Sequence, residues 1–259
     1  MELKAKKSLW LRGYGILALL FLNLPLLIII PISFSGSRIM SFPPESFSLQ
    51  WYERLLGSSD WMASLGISFQ AALFTTLLAV PLGSVAAYGL ARSERKSAKL
   101  VTALLLTPSI IPIVVVAIGI FFLFSRLGLN NTILGLTLAH TCLALPFVVI
   151  TMNAGFQRFD FTLVTASRSL GAGSVRTFLT IALPNVIPSV VTSAMLAFIT
   201  SLDEVVVALF ITSGANSSLP RRMFASLRDD LDPTVAAASA LLILLAIVFV
   251  AISSIVDDR

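Results

Sequence analysis

An all-α membrane protein with six membrane-spanning helices is the fold class this chain predicts, and three observations lead to it. Hydrophobic residues make up 57% of the 259 positions and charged residues only 12%, whereas about a quarter of a soluble protein is charged. The apolar residues fall into six long runs, each near the roughly 20 residues needed to cross a bilayer. The basic residues gather at the ends of those runs. In a soluble domain the net charge of +5 would point to nucleic acid; here its placement is a topology signal, and no nucleic-acid partner is expected. The runs are continuous and lack the ten-residue alternation of barrel strands, so they predict helices.

The spans are expected at 14–34, 65–91, 100–124, 132–156, 186–211 and 234–256, in a single transmembrane domain covering 1–259. Lys4, Lys6, Lys7 and Arg12 precede the first run in the charge order of a signal peptide. That run is longer than a signal h-region of about 7–15 residues, and no clear Ala-x-Ala site follows it, so an uncleaved span is expected. The loop after it holds Pro43, Pro44 and the pair Trp51-Tyr52. Such aromatics anchor a short interfacial helix or meet an external partner. Pro81 and Gly83 in the second run, with Pro108 and Pro112 in the third, predict kinks of the kind that neighbouring helices accommodate. The single cysteine, Cys142, lies in the fourth run, which excludes an intramolecular disulfide and predicts a packing role. Arg221, Arg222, Asp229, Asp230 and Asp232 mark a solvated loop before the sixth run.

With both termini in the cytoplasm, the inner segments hold twelve of the eighteen Lys and Arg residues: Lys4, Lys6, Lys7, Arg12, Arg92, Arg95, Lys96, Lys99, Arg158, Arg168, Arg176 and Arg259. Arg38, Arg54, Arg126, Arg221, Arg222 and Arg228 fall outside. The positive-inside rule selects this orientation. It puts the interruption at 157–184 in the cytoplasm.

Within that interruption Phe159, Leu163, Ala166 and Leu170 recur at helical spacing, which predicts a short amphipathic helix. Asp160 or Thr162 is placed to cap its start, and Gly171 to end it because glycine accepts positive φ. Thr165, Arg168 and Ser169 form the opposite face. On periodicity alone the helix is equally suited to lying on a membrane surface.

The spacing is more specific. Thr165-Ala166-Ser167, three residues, Gly171, nine residues and Ile181-x-Leu183-Pro184 resembles the Glu-Ala-Ala, three residues, Gly, nine residues, Ile-x-Leu-Pro signature of permease subunits of binding-protein-dependent ABC importers. Leu170-Gly171-Ala172 matches its core, while Thr165 and Ser167 replace the Glu and the second Ala. The segments Phe47-Ser48-Leu49-Gln50-Trp51-Tyr52, Leu145-Pro146, Ser201-Leu202-Asp203-Glu204-Val205-Val206-Val207-Ala208 and Leu219-Pro220 look like the second permease of spermidine/putrescine-type importers.

The resemblance implies the type I importer permease fold and an inner-membrane location. It makes the loop a coupling helix that docks on an ATPase through Thr165, Ala166, Ser167, Leu170, Gly171 and Ala172. It also implies the partners: a homologous second permease, two ATP-binding-cassette subunits that bind ATP and Mg, and a periplasmic or extracellular substrate-binding protein. Membrane lipid surrounds the assembly. The expected cargo is a polyamine or related cationic amine, with permeases for an amino-acid derivative, sugar, iron or anion as alternatives. The chain has no Gly-x-x-x-x-Gly-Lys-Ser/Thr loop. No cofactor is expected in it, and with one histidine and no cysteine cluster it offers little for catalysis or metal binding.

Asp203 and Glu204 fall inside the fifth run, where a carboxylate is a functional candidate by default. Asp203 is expected about 25 Å from the cytoplasmic end, and His140 about 12 Å from the outer end of its own span, so they share a layer. A path-lining carboxylate would favour cations. The alternative is that one of them pairs with His140 or caps a broken helix. Asp203, Glu204 and His140 would also be the relay of a stand-alone carrier driven by proton or sodium flow, the competing function.

Overall fold

The computed structural model describes residues 2–93, 95–229 and 232–257; Asp230 and Arg259, counted above among the loop and terminal charges, lie outside them. Helix dominates: α1 (Glu2–Ser33), α2 (Gln50–Gly57), α3 (Ser59–Ala91), α4 (Lys96–Ile110), α5 (Ile113–Leu127), α6 (Ile133–Gln157) and α7 (Thr162–Ser169). They are followed by α8 (Ser174–Thr177), α9 (Leu183–Asn185), α10 (Ile187–Asp203), α11 (Val206–Ile211), α12 (Leu219–Asp229) and α13 (Thr234–Asp257). No strand forms among the described residues; a lone antiparallel bridge joins Ser35 and Phe47.

Among the described residues three helices are long and apolar enough to cross a membrane: Leu11–Ser33, Ser59–Ala91 and Ile133–Gln157. Two further candidates are bent pairs, α4 with α5 at 100° and Ser174–Asn185 with α10 at 85°; Thr234–Phe249 is a shorter apolar helix. The first bend has a plain cause. Pro112 offers no N–H and drives the residue before it out of the helical region, and Ile111 is accordingly extended, with φ −73° and ψ 139°. The expected third span is therefore two helices, and the expected fifth is interrupted between Asp203 and Val206.

The chain divides into two compact units, Met1–Ser58 with Ser226–Leu245 and Ser59–Ala225 with Ala246–Arg259. In the first, α1 presents Leu17, Phe21 and Leu22 outward, as a helix surrounded by lipid does. The chain leaving α1 is pinned by α2. The Trp51 indole donates to the Ser35 carbonyl at 2.6 Å, Gln50 Nε2 donates to the Gly36 carbonyl at 2.8 Å, and the Ser33 and Tyr52 hydroxyls lie 2.7 Å apart. Trp51 is thus an internal brace, not an exposed anchor.

In the second unit α3, α6 and α10 pack on one another. Their contact surfaces use small side chains: Ala71, Ala72, Ala79, Ala87, Ala144 and Ala197 are all fully buried. Without a hydrophobic driving force between helices in lipid, close backbone approach supplies the attraction. Gly83 shows the limit, since a Cβ there would collide with Val148. Cys142 is on an exposed face of α6, so within this chain it has no packing role. At the end that carries α12, the Leu219 N–H donates to Ser68 Oγ at 2.7 Å and the Arg222 guanidinium donates to Ser64 Oγ at 2.6 Å.

Candidate functional site

Two places bring the candidate residues together. The first is the loop after α6. Asp160 accepts from the Thr162 N–H at 2.9 Å and from the Thr162 hydroxyl at 2.7 Å, which closes the start of α7. Those two bonds favour the charged form and hold the Asp160 carboxyl below its ordinary range. At the other end Gly171 takes φ +86° and turns the chain out of the helix. Its N–H donates to the Arg168 carbonyl at 3.0 Å, and that of Ala172 to the Ser167 carbonyl at 3.2 Å. Asp160 sits outside the helix and Phe161 is the residue at its N-cap.

The side of α7 that faces the protein is not the predicted stripe. Val164 is buried, whereas Leu163 and Leu170 are exposed, Leu170 at 89%. The periodicity of Leu163, Ala166 and Leu170 is real, but it marks an outward apolar face that, with Gly171, Arg176 and Ile181, lines a shallow concavity. Below α7 lies an aromatic cluster that sequence reasoning missed. Tyr88, at the end of α3, stacks with Phe156, Phe161 and Phe178 at centroid distances of 5.4, 6.1 and 5.0 Å. The short loop is thereby joined to the ends of two core helices. Only the density of Phe between 156 and 178 could have signalled it.

The second place is the break between α10 and α11. Glu204 leaves the helix, with φ −71° and ψ 115°, and turns its carboxylate onto the next helix. Oε1 accepts from the Val207 N–H at 2.9 Å and Oε2 from the Ala208 N–H at 3.1 Å. These N–H groups lose their helical acceptors at the break, and an acidic side chain is well suited to replace them. Glu204 Oε2 also lies 3.5 Å from His140 Nε2, and both side chains are buried. Asp203 is exposed. The two adjacent carboxylates therefore have different surroundings: one is held inside by backbone and imidazole, and the other ends α10 in the open. Among the described residues no group of His, Cys, Asp and Glu is arranged to hold a metal ion.

A helical membrane bundle with broken spans and a braced, outward-facing apolar helix on one connecting loop defines the permease class of transport proteins. Residues 79–259 match the family described as binding-protein-dependent transport system inner membrane component, and the chain belongs to that family. It is an ABC importer permease and a multi-pass membrane protein, and this membership sets aside the stand-alone carrier.

Among similar proteins is the spermidine/putrescine transport system permease protein PotC of Haemophilus influenzae, 30% identical over 239 residues, covering 92% of this chain and 93% of that protein. The putrescine transport system permease protein PotI of Escherichia coli is 27% identical over 249 residues, covering 93% and 88%. The fold matches a bacterial ABC transporter involved in import of the acidic polysaccharide alginate, with a TM-score of 0.70 over 98% of this chain and 96% of the other at 16% identity.

Proposed function

We propose that this chain forms half of the translocation path of an ATP-driven importer for polyamines or related cationic amines, and that a separate ATPase drives it through α7. The homologous second permease, the two ATP-binding-cassette subunits that bind ATP and Mg, and the external binding protein are further chains of the assembly. Both termini lie in the cytoplasm on this reading, following the bias in Lys and Arg.

The observation that supports ATPase docking most directly is the outward apolar face of α7. A helix of eight residues that exposes Leu163, Ala166 and, at its C-cap, Leu170 while Asp160, Val164 and the Tyr88 cluster hold it in place is built to be covered by another protein. Thr165 in place of an acidic residue makes the contact one of shape more than charge. Ser167, Gly171 and Ala172 keep the surface low.

The cargo assignment is supported by the polyamine permeases among the relatives and by the exposed Asp203. That carboxylate stands at the C-terminus of α10, where helix carbonyls point outward and the helix dipole is negative. A broken helix that ends in free carbonyls and an acidic side chain provides acceptors for ammonium groups.

The test is ligand-stimulated ATP hydrolysis by the purified complex with its binding protein. Putrescine or spermidine is expected to stimulate it. Stimulation only by neutral sugars or anions would overturn the cargo assignment while leaving ATPase docking intact.

A further inference from the structure

The break that exposes Asp203 contains neither proline nor glycine: the chain reads Leu202-Asp203-Glu204-Val205-Val206. Side chains hold it, and one imidazole touches both sides. His140 Nδ1 lies 2.7 Å from Ser201 Oγ, on the last turn of α10, and Nε2 lies 3.5 Å from Glu204 Oε2, the carboxylate that caps α11. Ser201 Oγ also reaches Thr75 Oγ1 on α3 at 3.4 Å, and Thr75 donates to the Thr137 carbonyl of α6 at 3.3 Å. His140, Ser201 and Thr75 are all at most 2% exposed.

The partners fix the direction of the bonds. Both Glu204 oxygens accept backbone N–H groups, and a carboxylate oxygen turned toward Nε2 is matched by N–H there and not by a lone pair. Nε2 makes no close hydrogen bond; at 3.5 Å its interaction with Oε2 is electrostatic.

We propose that His140 is a positioning residue for translocation: by holding Ser201 and Glu204 together it fixes the angle between α10 and α11, and so the direction in which Asp203 presents its carboxylate. This rests on the reading of Asp203 as a path-lining group. Without the imidazole, Glu204 keeps its two backbone bonds and Ser201 its contact with Thr75, so the break survives, but the tie between the end of α10 and the start of α11 is lost and with it the fixed aim of Asp203. In His140→Gln the new amide would reach toward Glu204, in His140→Asn it would reach toward Ser201 alone, and His140→Leu would fill the space with no donor.

The experiment uses the complete importer in a Cys142→Ala background with Asp203→Cys, and measures the rate of modification by a cationic thiol reagent in the membrane. His140→Leu, His140→Asn and His140→Gln are each expected to change that rate about tenfold, since none of them spans Ser201 and Glu204 together, the scale of one buried polar contact. Equal rates in the Asn variant and the parent overturn the proposal, which covers the case in which the Leu variant does not assemble. Putrescine uptake by Asp203→Asn is measured in parallel. Altered labelling with normal uptake by that variant upholds the positioning role and overturns the path reading; unaltered labelling with lost uptake does the reverse.

Discussion

The hydroxyls of Ser167 and Thr177 lie 3.0 Å apart, and Thr177 is fully buried. This bond ties α7 to α8, and so links the proposed docking surface to the segment that leads back toward α10. Ser167 stands where the family signature has alanine, and the departure has a structural use. Ser167→Ala would leave the buried Thr177 hydroxyl without its partner, at a cost of about 1–3 kcal/mol. Hydrogen exchange of residues 162–169 is expected to quicken by about an order of magnitude in that variant. Exchange equal to wild type would show that the bond contributes nothing to holding α7.

Gly171 separates backbone strain from steric bulk. Its φ is +86°, and a Cβ built there meets nothing within 4 Å in this chain, so the penalty for substitution comes from the left-handed conformation. Alanine costs about 1 kcal/mol there and valine more, because β-branched residues are poorly accommodated at positive φ, whereas asparagine tolerates it. ATPase association and the coupling of hydrolysis to uptake are therefore expected to decline in the order Gly171→Asn, Gly171→Ala, Gly171→Val. Asparagine is larger than alanine. An order that follows size would place the effect in the docking contact and not in the turn.

At the other end of α7 the sign of a pH effect follows from Asp160. Its carboxyl is held below the ordinary range by the Thr162 N–H and hydroxyl. The group is more acidic folded than unfolded, so its support for the helix start is complete at neutral pH and is lost only as pH falls through the depressed value. Neutral and mildly alkaline buffers should therefore give the same affinity between permease and ATPase. Asp160→Ala is expected to weaken that affinity at neutral pH and Asp160→Asn to weaken it less, since the amide oxygen still accepts the Thr162 N–H. Equal affinity for all three in a binding titration would remove Asp160 from the account.

How much of this was legible in the sequence depends on what produces each feature. Long apolar runs fix the helices because a bilayer leaves the backbone no other partner, and Pro112 announces its bend through a missing N–H. Gly171 was equally readable, since φ +86° is a requirement few other residues meet. The break at Glu204 was legible only as an alternative, that one of the two carboxylates pairs with His140 or caps a broken helix, and its position was not legible. Nothing in Leu202-Asp203-Glu204-Val205 is a breaker; the cause is a carboxylate that takes over two N–H groups and a histidine 64 positions earlier in the chain. The stripe on α7 was legible as one helix face: Leu163, Ala166 and Leu170 have the spacing that suits a membrane surface or a docking contact, and the packing of Val164 and Phe161 is what shows that this face points away from the protein.

The two carboxylates at the break should behave as opposites. Asp203 is exposed, so Asp203→Asn removes charge without removing an internal bond. The variant is expected to melt like wild type in detergent and to lose about tenfold in kcat/KM for polyamine uptake, the scale of one charged contact. Glu204 is buried, and both of its oxygens accept N–H groups. In Glu204→Gln one of those acceptors becomes an NH2 group facing a backbone donor, a loss of about 1–3 kcal/mol. That variant is expected to melt lower and to reach the membrane in smaller amounts. Its uptake per assembled complex should fall as well, because the break that presents Asp203 is loosened. Thermal melting and initial uptake rates, normalised to assembled complex, decide between the two roles. A lower melting point for Asp203→Asn with unchanged uptake would mean that Asp203 is the structural member of the pair, and Glu204 would then have to supply the charge.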